Sequence, residues 1–466
     1  VLFNSLPFLI FLPTVVLLYY LLPHRTRWIL LLAASYIFYG YWKVEYLSLI
    51  LASTTVDYFV ARYIHSTPSR FHKRFGLALS LITNLGLLVF FKYSGWFIED
   101  VLDPVIGLNE VQLNDFRTAW DFLLPVGISF YTFQTLGYTI DVYYGKAVPE
   151  KNPLKFALFV SYFPQLVAGP IERFSHLHQQ LFQRVSFQYS NLQHGARLIL
   201  YGLFIKMCVA DNVSPVVDQI FGHSTEADSL QLVIGMLLFG LQIYSDFHGY
   251  SLIAIGTAKL MGVNLMGNFN APYTALSIRE FWSRWHISLS TWFRDYLFIP
   301  LGGSKAGQVK LGINILIVFL VSGLWHGANW TFVVWGAMHG VAYLIERWVL
   351  PERSSRIGSA LKWIWTMVIV FVAWIFFRSE SIEFGAAYVG LMISNMGEGI
   401  TLEWDPFLPS IVGIFILSDL LFRNRSIHVW LESKSTLIRW SVYALLLFFI
   451  TGFAGTIQHP FIYFQF

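Results

Sequence analysis

The sequence predicts an all-α protein that crosses a membrane many times, and three observations predict it. Charged residues make up only 12% of the 466 residues, about half the roughly 25% of a water-soluble domain. Apolar residues make up 56% and are gathered in long blocks. The mean hydropathy is +0.57. A helix needs about 20 apolar residues to cross roughly 30 Å of hydrocarbon. On that criterion the blocks supply roughly 11–13 transmembrane or re-entrant helices.

The first block, 8–22, lacks the basic flank and the small-residue cleavage site of a signal peptide, and further blocks follow at once, so a retained helix is expected. Spans fit near 6–22, 28–42, 46–64 and 75–91, as two hairpins. The loop after the first carries His24, Arg25 and Arg27; the loop after the third carries Arg62, Arg70, Lys73 and Arg74. Both fall on one side, and the positive-inside rule places that side in the cytoplasm and the N-terminus outside. The segment 92–120 is then outside, with Glu99, Asp100, Asp103, Glu110 and Asp115 against Lys92 and Arg117. Further spans fit near 122–143, 154–167, 196–220, 230–260, 311–325, 331–348, 364–377, 407–422 and 441–453. No polar linker separates them. A single membrane domain over 1–466 is expected, with N-terminal hairpins in 1–150, a core in 151–350 and C-terminal helices in 351–466.

Several function classes lack support. The one cysteine, Cys208, allows no internal disulfide and no Cys-rich metal site; its apolar setting suits a packed core thiol. The net charge of +4 is small, and no basic run interleaved with aromatics suggests nucleic-acid binding. There is no phosphate loop, HExxH zinc pair or GxSxG serine elbow. No bound metal or resident cofactor is expected.

The segment 262–310 is too polar for lipid and too aromatic for a solvated loop. It holds Asn264, Asn268, Asn270, Arg279, Glu280, Arg284, His286, Arg294, Asp295 and Lys305. Polar backbone at membrane depth is tolerated where it lines a protein-enclosed cavity, so a re-entrant or interfacial segment is expected; a plain surface anchor is the alternative. Ionisable groups within apolar segments are costly and mark candidate sites. His326, in VSGLWHGANW, follows a long apolar run. Gly323, Gly327 and Ala328 are expected to leave space for a substrate, and Asn329 adds polarity nearby. A desolvated imidazole stays neutral and able to act as a base; a hydrogen-bonded structural histidine is the competing reading. His286 sits in FWSRWHISLSTW, where Trp282, Trp285 and Trp292 can wall a pocket and Arg279, Arg284 and Arg294 can meet an anionic ligand. Interfacial anchoring is the alternative there. His339 lies thirteen residues beyond His326, roughly 20 Å along one unbroken helix, so the two share a reaction centre only if the helix breaks at Gly327. Asp246 and His248, and Gln165 and Glu172, are lesser candidates, with a structural role favoured for Asp246.

Four stretches resemble the membrane-bound O-acyltransferase family: 163–173 (FPQLVAGPIER), 244–256 (YSDFHGYSLIAIG), 281–303 (FWSRWHISLSTWFRDYLFIPLGG) and 324–330 (LWHGANW). The opening 2–13 and the closing 461–466 (FIYFQF) are similar to its bacterial alginate O-acetylation branch. The resemblance implies a helical ring around a funnel, with re-entrant helices on the cytoplasmic side. It implies that His326 is the family's near-invariant membrane histidine, that His286 fills the second family position, and that His339 is an alternate. It also implies acetyl-CoA as a cytoplasmic donor substrate, an exported polysaccharide (alginate-like, cellulose or peptidoglycan) as acceptor, a periplasmic transferase partner of serine-hydrolase type, and the inner membrane of a bacterium. A polysaccharide transporter or scaffold without chemistry, and a D-alanyl or lipid acyltransferase of the same fold, are the rival readings.

Overall fold

The computed structural model describes residues 2–108, 125–167, 169–305, 307–349, 356–395, 397, 399–423, 425–454 and 461–464. Glu110, Asp115 and Arg117 of the expected outside segment fall beyond these residues, as do the start of the expected span at 122 and the last two residues of the closing motif.

Regular structure among the described residues is helical throughout. Among the described residues, seven helices are long and apolar enough to cross a membrane: Val44–Ser66, Arg70–Ile106, Tyr189–Gly222, Ser229–Leu260, Gln308–His326, Ile357–Arg378 and Thr436–Phe453. Leu6–Leu21, Ile382–Ser394 and Leu408–Leu421 are shorter apolar helices. The chain is a multi-pass all-α membrane protein. Two of the remaining apolar blocks do other work. Ile128–Tyr143 is buried at fourteen of its sixteen positions, so it is an internal helix rather than a lipid-facing one. The block at 154–167 breaks at Tyr162, into Pro153–Ser161 and a single turn Phe163–Leu166; Pro164 has no N–H with which to continue the first helix.

The described chain forms two compact units. The first comprises 7–187 and 261–265. Its helices are α1 (Leu6–Leu21), α2 (His24–Gly40), α3 (Leu47–Ser66), α4 (Arg70–Trp96), α5 (Ile128–Tyr143), α6 (Pro153–Ser161) and α7 (Phe174–Phe182). A buried carboxylate is costly unless hydrogen bonds surround it. Asp57 on α3 meets that condition: its oxygens accept from Asn84 Nδ2 at 2.8 Å and from Ser80 Oγ on α4, and from Thr139 Oγ1 at 3.0 Å on α5. Three helices are thereby tied at one acid. Gln165 and Glu172 also serve the fold of this unit. Gln165 Nε2 donates to the Phe159 carbonyl at 2.9 Å, and Glu172 accepts from His176 Nδ1 at 2.6 Å.

The second unit comprises 2–6, 188–260 and 266–466. Its helices are α8 (Tyr189–Leu203), α9 (Asp211–Gly222), α10 (Ser229–Leu260), α11 (Ile278–Arg284), α12 (Ile287–Phe293), α13 (Gln308–His326), α14 (Trp330–Trp348), α15 (Arg356–Arg378), α16 (Ile382–Ser394), α17 (Leu408–Leu421), α18 (Ile427–Glu432) and α19 (Thr436–Phe453). Helices α8 and α10 touch backbone to backbone. A Cβ on Gly202 would lie 2.7 Å from the Gly249 carbonyl oxygen, and one on Gly195 2.7 Å from that of Gly256. Small residues repeated at one face are how helices in lipid approach closely. The π-helical turn Phe204–Ala210 joins α8 to α9, and such turns shift a helix's register where function needs it. Here it delivers Lys206 to two acids, with Nζ 2.9 Å from Asp246 on α10 and 2.7 Å from Asp211. Cys208, in the same turn, is fully buried, as expected of a core thiol.

Candidate active site

All three candidate histidines lie in the second unit and all are buried: His286 and His339 completely, His326 with 2% of its surface exposed. Each is placed by an interruption or a face of a helix.

His286 occupies the break between α11 and α12. Ser277 caps α11 by accepting from Glu280 N–H at 3.0 Å. The chain turns extended at Trp285 and enters the left-handed region at His286, with φ 42°. Among non-glycine residues that conformation is uncommon and costs on the order of 1–3 kcal/mol unless the surroundings enforce it. Asn268 does so. Its carbonyl accepts from Ile287 N–H at 3.0 Å, its Oδ1 from Ser288 N–H at 3.3 Å, and its Nδ2 donates to Ser251 Oγ at 3.1 Å. The imidazole packs edge-on against Phe247, with ring centroids 4.7 Å apart. Burial pushes its pKa down to about 3, so the ring is neutral at physiological pH.

His326 is the last residue of α13. Gly327 is extended, and α14 starts at Trp330, so the helix does break where His339 needs it to. The result is a helical hairpin with indoles between the imidazoles. Trp335 lies 5.0 Å from His326 and 5.1 Å from His339. Those two rings are therefore within about 10 Å of each other, half the roughly 20 Å of one unbroken helix. Trp325 lies 4.9 Å from His326 and 6.0 Å from His286. Two indoles thus link three imidazoles into one aromatic cluster, completed around His326 by Phe377 at 5.3 Å and Tyr463 at 5.5 Å.

The glycines do not leave space for a substrate, as the sequence suggested. A Cβ on Gly323 would lie 2.2 Å from the Phe332 carbonyl oxygen, and one on Gly327 1.9 Å from the Phe332 ring. They make room for α14. Asn329 caps that helix, accepting from Thr331 N–H at 2.9 Å, while its Nδ2 donates to the Glu380 carbonyl at 2.8 Å.

The remaining candidates divide. Trp285 is fully buried, 5.0 Å from Trp374 and stacked on Phe281. Arg284 is held within the fold by Glu280, at 2.7 Å, and by the Asn270 carbonyl, at 3.2 Å. Arg279 is exposed, and so is Arg294, which pairs with neighbouring Asp295 at 2.8 Å. Trp282 packs on His339, whereas Trp292 packs on Phe293 and Tyr296. His248 stacks on Tyr244 at 5.4 Å.

The two nitrogens of His339 differ. Trp282 Nε1–H donates to His339 Nδ1 at 3.4 Å, so in the neutral ring Nδ1 accepts and the proton resides on Nε2. That tautomer is a donor with no free basic nitrogen, which favours His326 over His339 as a base.

Tyr463 escapes sequence reasoning. Its segment is seated by Ile462 N–H, which donates at 2.8 Å to Asp246, the acid that Lys206 holds. Its ring also lies 5.0 Å from Phe247, the residue packed on His286. The one available signal was that Asp246 and the closing aromatic run belong to stretches singled out separately.

The fold defines a multi-pass all-α membrane protein, with a histidine pair joined through aromatic walls in its second unit. The description "membrane-bound O-acyltransferase family" fits residues 144–385. The chain is 40% identical to a probable alginate O-acetylase of Azotobacter vinelandii, over 82% of this chain and 76% of that protein. It is 32% identical to a peptidoglycan O-acetyltransferase of Helicobacter pylori, over 100% and 97% respectively. A teichoic acid D-alanyltransferase of Streptococcus thermophilus is 28% identical over 54% of this chain and 64% of its own length. The chain belongs to the membrane-bound O-acyltransferase family, and it is an acyltransferase.

Proposed function

We propose that this acyltransferase moves an acetyl group from cytoplasmic acetyl-CoA towards an exported polysaccharide, with His326 as general base. The observation that carries the reading is the placement of His326: a buried imidazole at a helix terminus, joined to His286 through Trp325. The names of the relatives point to alginate-like polymers or peptidoglycan as acceptors. The basic loops carrying Arg25, Arg27, Arg70, Lys73 and Arg74 support an inner-membrane orientation with the N-terminus outside. A periplasmic serine-hydrolase-type transferase is the partner such a route calls for.

In the proposed reaction, neutral His326 takes the proton of the acceptor hydroxyl as its oxygen attacks the thioester carbonyl. The carbon–sulfur bond breaks, and the thiolate leaves with the proton. His286 donates a hydrogen bond to the developing oxyanion; losing one such donor typically costs about 10²–10³ in rate. The exposed guanidiniums of Arg279 and Arg294 meet the phosphates of the donor. Acylation of His326 itself is a variant of this route.

A second reading is favoured by the phenol of Tyr463, whose ring lies 5.5 Å from that of His326. In it, Tyr463 is the hydroxyl first deprotonated and acylated, and it then passes the acyl group on. The test of the main reading is His326→Ala at equal protein level. Polymer acetylation in cells is expected to fall by about 10²–10⁴, the usual worth of a positioned base; unchanged acetylation sinks the assignment. Tyr463→Phe then separates the two routes, because only the relay needs the phenolic oxygen.

A further inference from the structure

We propose that a groove between α8 and the N-terminal half of α19 binds the phosphate of an anionic membrane lipid. This site belongs to the second unit and does not depend on the acyl-transfer reading. The groove has a volume of about 340 Å³, and two guanidiniums, Arg197 and Arg439, line it with no carboxylate among the lining residues.

Arg197 decides the matter. A cationic side chain at a membrane interface ordinarily reaches out to water, yet Arg197 is only 5% exposed. It is held in place by neutral acceptors: Nε donates to Tyr443 Oη at 2.8 Å and Nη1 to the His428 carbonyl at 3.3 Å. It makes no ion pair among the described residues; the nearby acid, Glu432, feels the Arg197 charge but is hydrogen-bonded to His194. A buried charge is expensive unless an opposite charge joins it. Arg439 adds a second positive charge, with Nη2 donating to Thr436 Oγ1 at 3.1 Å. Tyr189 opens α8, and Arg439 lies in the first turn of α19. Two helix N-termini, each with a partial positive charge, therefore border the same groove.

The lipid source follows from what continues out of the groove. The apolar stretch of α19 is only 6% buried, and Leu437, Leu445 and Phe448 on it are exposed, so this helix faces the bilayer. Trp440 is 67% exposed at the groove's rim, the position of an interfacial anchor. A lipid whose phosphate enters the groove lays its acyl chains along α19, and a free phosphate gains none of that contact. Arg423, Arg425 and Lys434 in the adjoining connections add positive charge, which favours a net-anionic headgroup in the cytoplasmic leaflet.

The test uses the full-length protein, stripped of lipid in detergent and titrated with phosphatidylglycerol, phosphatidylcholine, inorganic phosphate or coenzyme A. Binding is read by intact-protein mass spectrometry and by the shift in melting temperature. Phosphatidylglycerol is expected to bind saturably and to raise the melting temperature, phosphatidylcholine to bind at least tenfold more weakly, and inorganic phosphate to give no shift. Arg197→Gln/Arg439→Gln is expected to weaken phosphatidylglycerol at least tenfold and leave phosphatidylcholine unchanged. Should that variant fail to fold, Arg439→Gln alone, on a half-exposed side chain, is expected to give a several-fold loss. The proposal is overturned if the variants bind phosphatidylglycerol like wild type. It is equally overturned if inorganic phosphate or coenzyme A competes at the arginines as well as the lipid does.

Discussion

Replacing Asp246 tests how the site is assembled, because this carboxylate does two separable things. It pairs with Lys206 at 2.9 Å, and it accepts the Ile462 N–H at 2.8 Å, which seats Tyr463 against His326. Asp246→Ala removes both. Breaking a buried ion pair from one side costs about 3–5 kcal/mol, here softened because Asp211 still faces Lys206 at 2.7 Å. Stranding the Ile462 N–H costs about 1–3 kcal/mol. That second amount is what holds the 461–464 segment, and lost from the catalytic arrangement it corresponds to about 5–150-fold in rate. Asp246→Asn keeps a carbonyl oxygen for Ile462, so it is expected to lose only the ion-pair part of the stability, less than the alanine variant, while retaining most of the transfer. The double variant Lys206→Met/Asp246→Leu reverses the pattern. Exchanging a buried pair for apolar groups of similar size is often neutral for stability, so the stability loss here is confined to Asp211, left without Lys206, and to Ile462, left without an acceptor. The assays are the melting temperature in detergent and loss of labelled thioester with product formation. A double variant with wild-type stability and wild-type transfer refutes the reasoning, for it would mean that the acid serves only the fold.

Two further perturbations follow from the same geometry. Gly327→Ala puts a methyl 1.9 Å from the Phe332 ring, an overpacking expected to cost about 1–3 kcal/mol or more; the melting temperature should drop and recover when Phe332→Leu is added, and no drop contradicts the close approach. For His286, folding depresses the pKa to about 3, against about 6.5 when unfolded. The unfolded chain therefore binds more protons between those values, so this residue's contribution is intact above about pH 6.5 and is lost progressively as pH falls towards about 3. His286→Asn, which tolerates the left-handed backbone, should flatten the fall in melting temperature between pH 7.5 and pH 5; an unchanged slope contradicts the burial of a neutral ring.

What was legible in the sequence and what was not divide along physical lines. Periodic bulk hydropathy exposes membrane helices, so α10 at Ser229–Leu260 matches the block at 230–260 almost to the residue. It does not reveal whether an apolar helix faces lipid or protein, so α5, buried on nearly every side, looked like a span. The costly residues His286 and His326 stood out because ionisable groups in apolar surroundings are rare. Their geometry did not, because it depends on two interruptions. The left-handed turn at His286 is enforced by Asn268, eighteen positions earlier. The break after His326 falls at extended Gly327 and is followed at once by Asn329, which caps α14. Glycines near a histidine are ambiguous in sequence: they fit a substrate or a neighbouring helix equally well, and here the helix occupies the space. Tyr463 was out of reach because its seat, the Asp246 carboxylate, is more than two hundred residues away.

The burial of His326 sets a condition on any mechanism that uses it. With 2% of its surface exposed and aromatic rings centred between 4.9 and 5.5 Å on four sides, the imidazole meets an incoming hydroxyl only when a wall moves. Three of the walls belong to long helices: Trp325 to α13, Trp335 to α14 and Phe377 to α15. Displacing any of these rings disturbs a helix packed along its length. The fourth, Tyr463, sits on a single 3₁₀ turn, Ile462–Phe464, seated by the Ile462 N–H on Asp246 and by the burial of Phe461 and Ile462. Displacing Tyr463 loses a hydrogen bond to a charged group, about 1.5–3 kcal/mol, together with its packing on Phe247, Phe377 and Phe461; evicting a buried indole leaves a cavity worth about 3–5 kcal/mol. On the proposed reading one of these four rings has to yield as the hydroxyl arrives, and Tyr463, on the shortest element, disturbs the least helix in doing so.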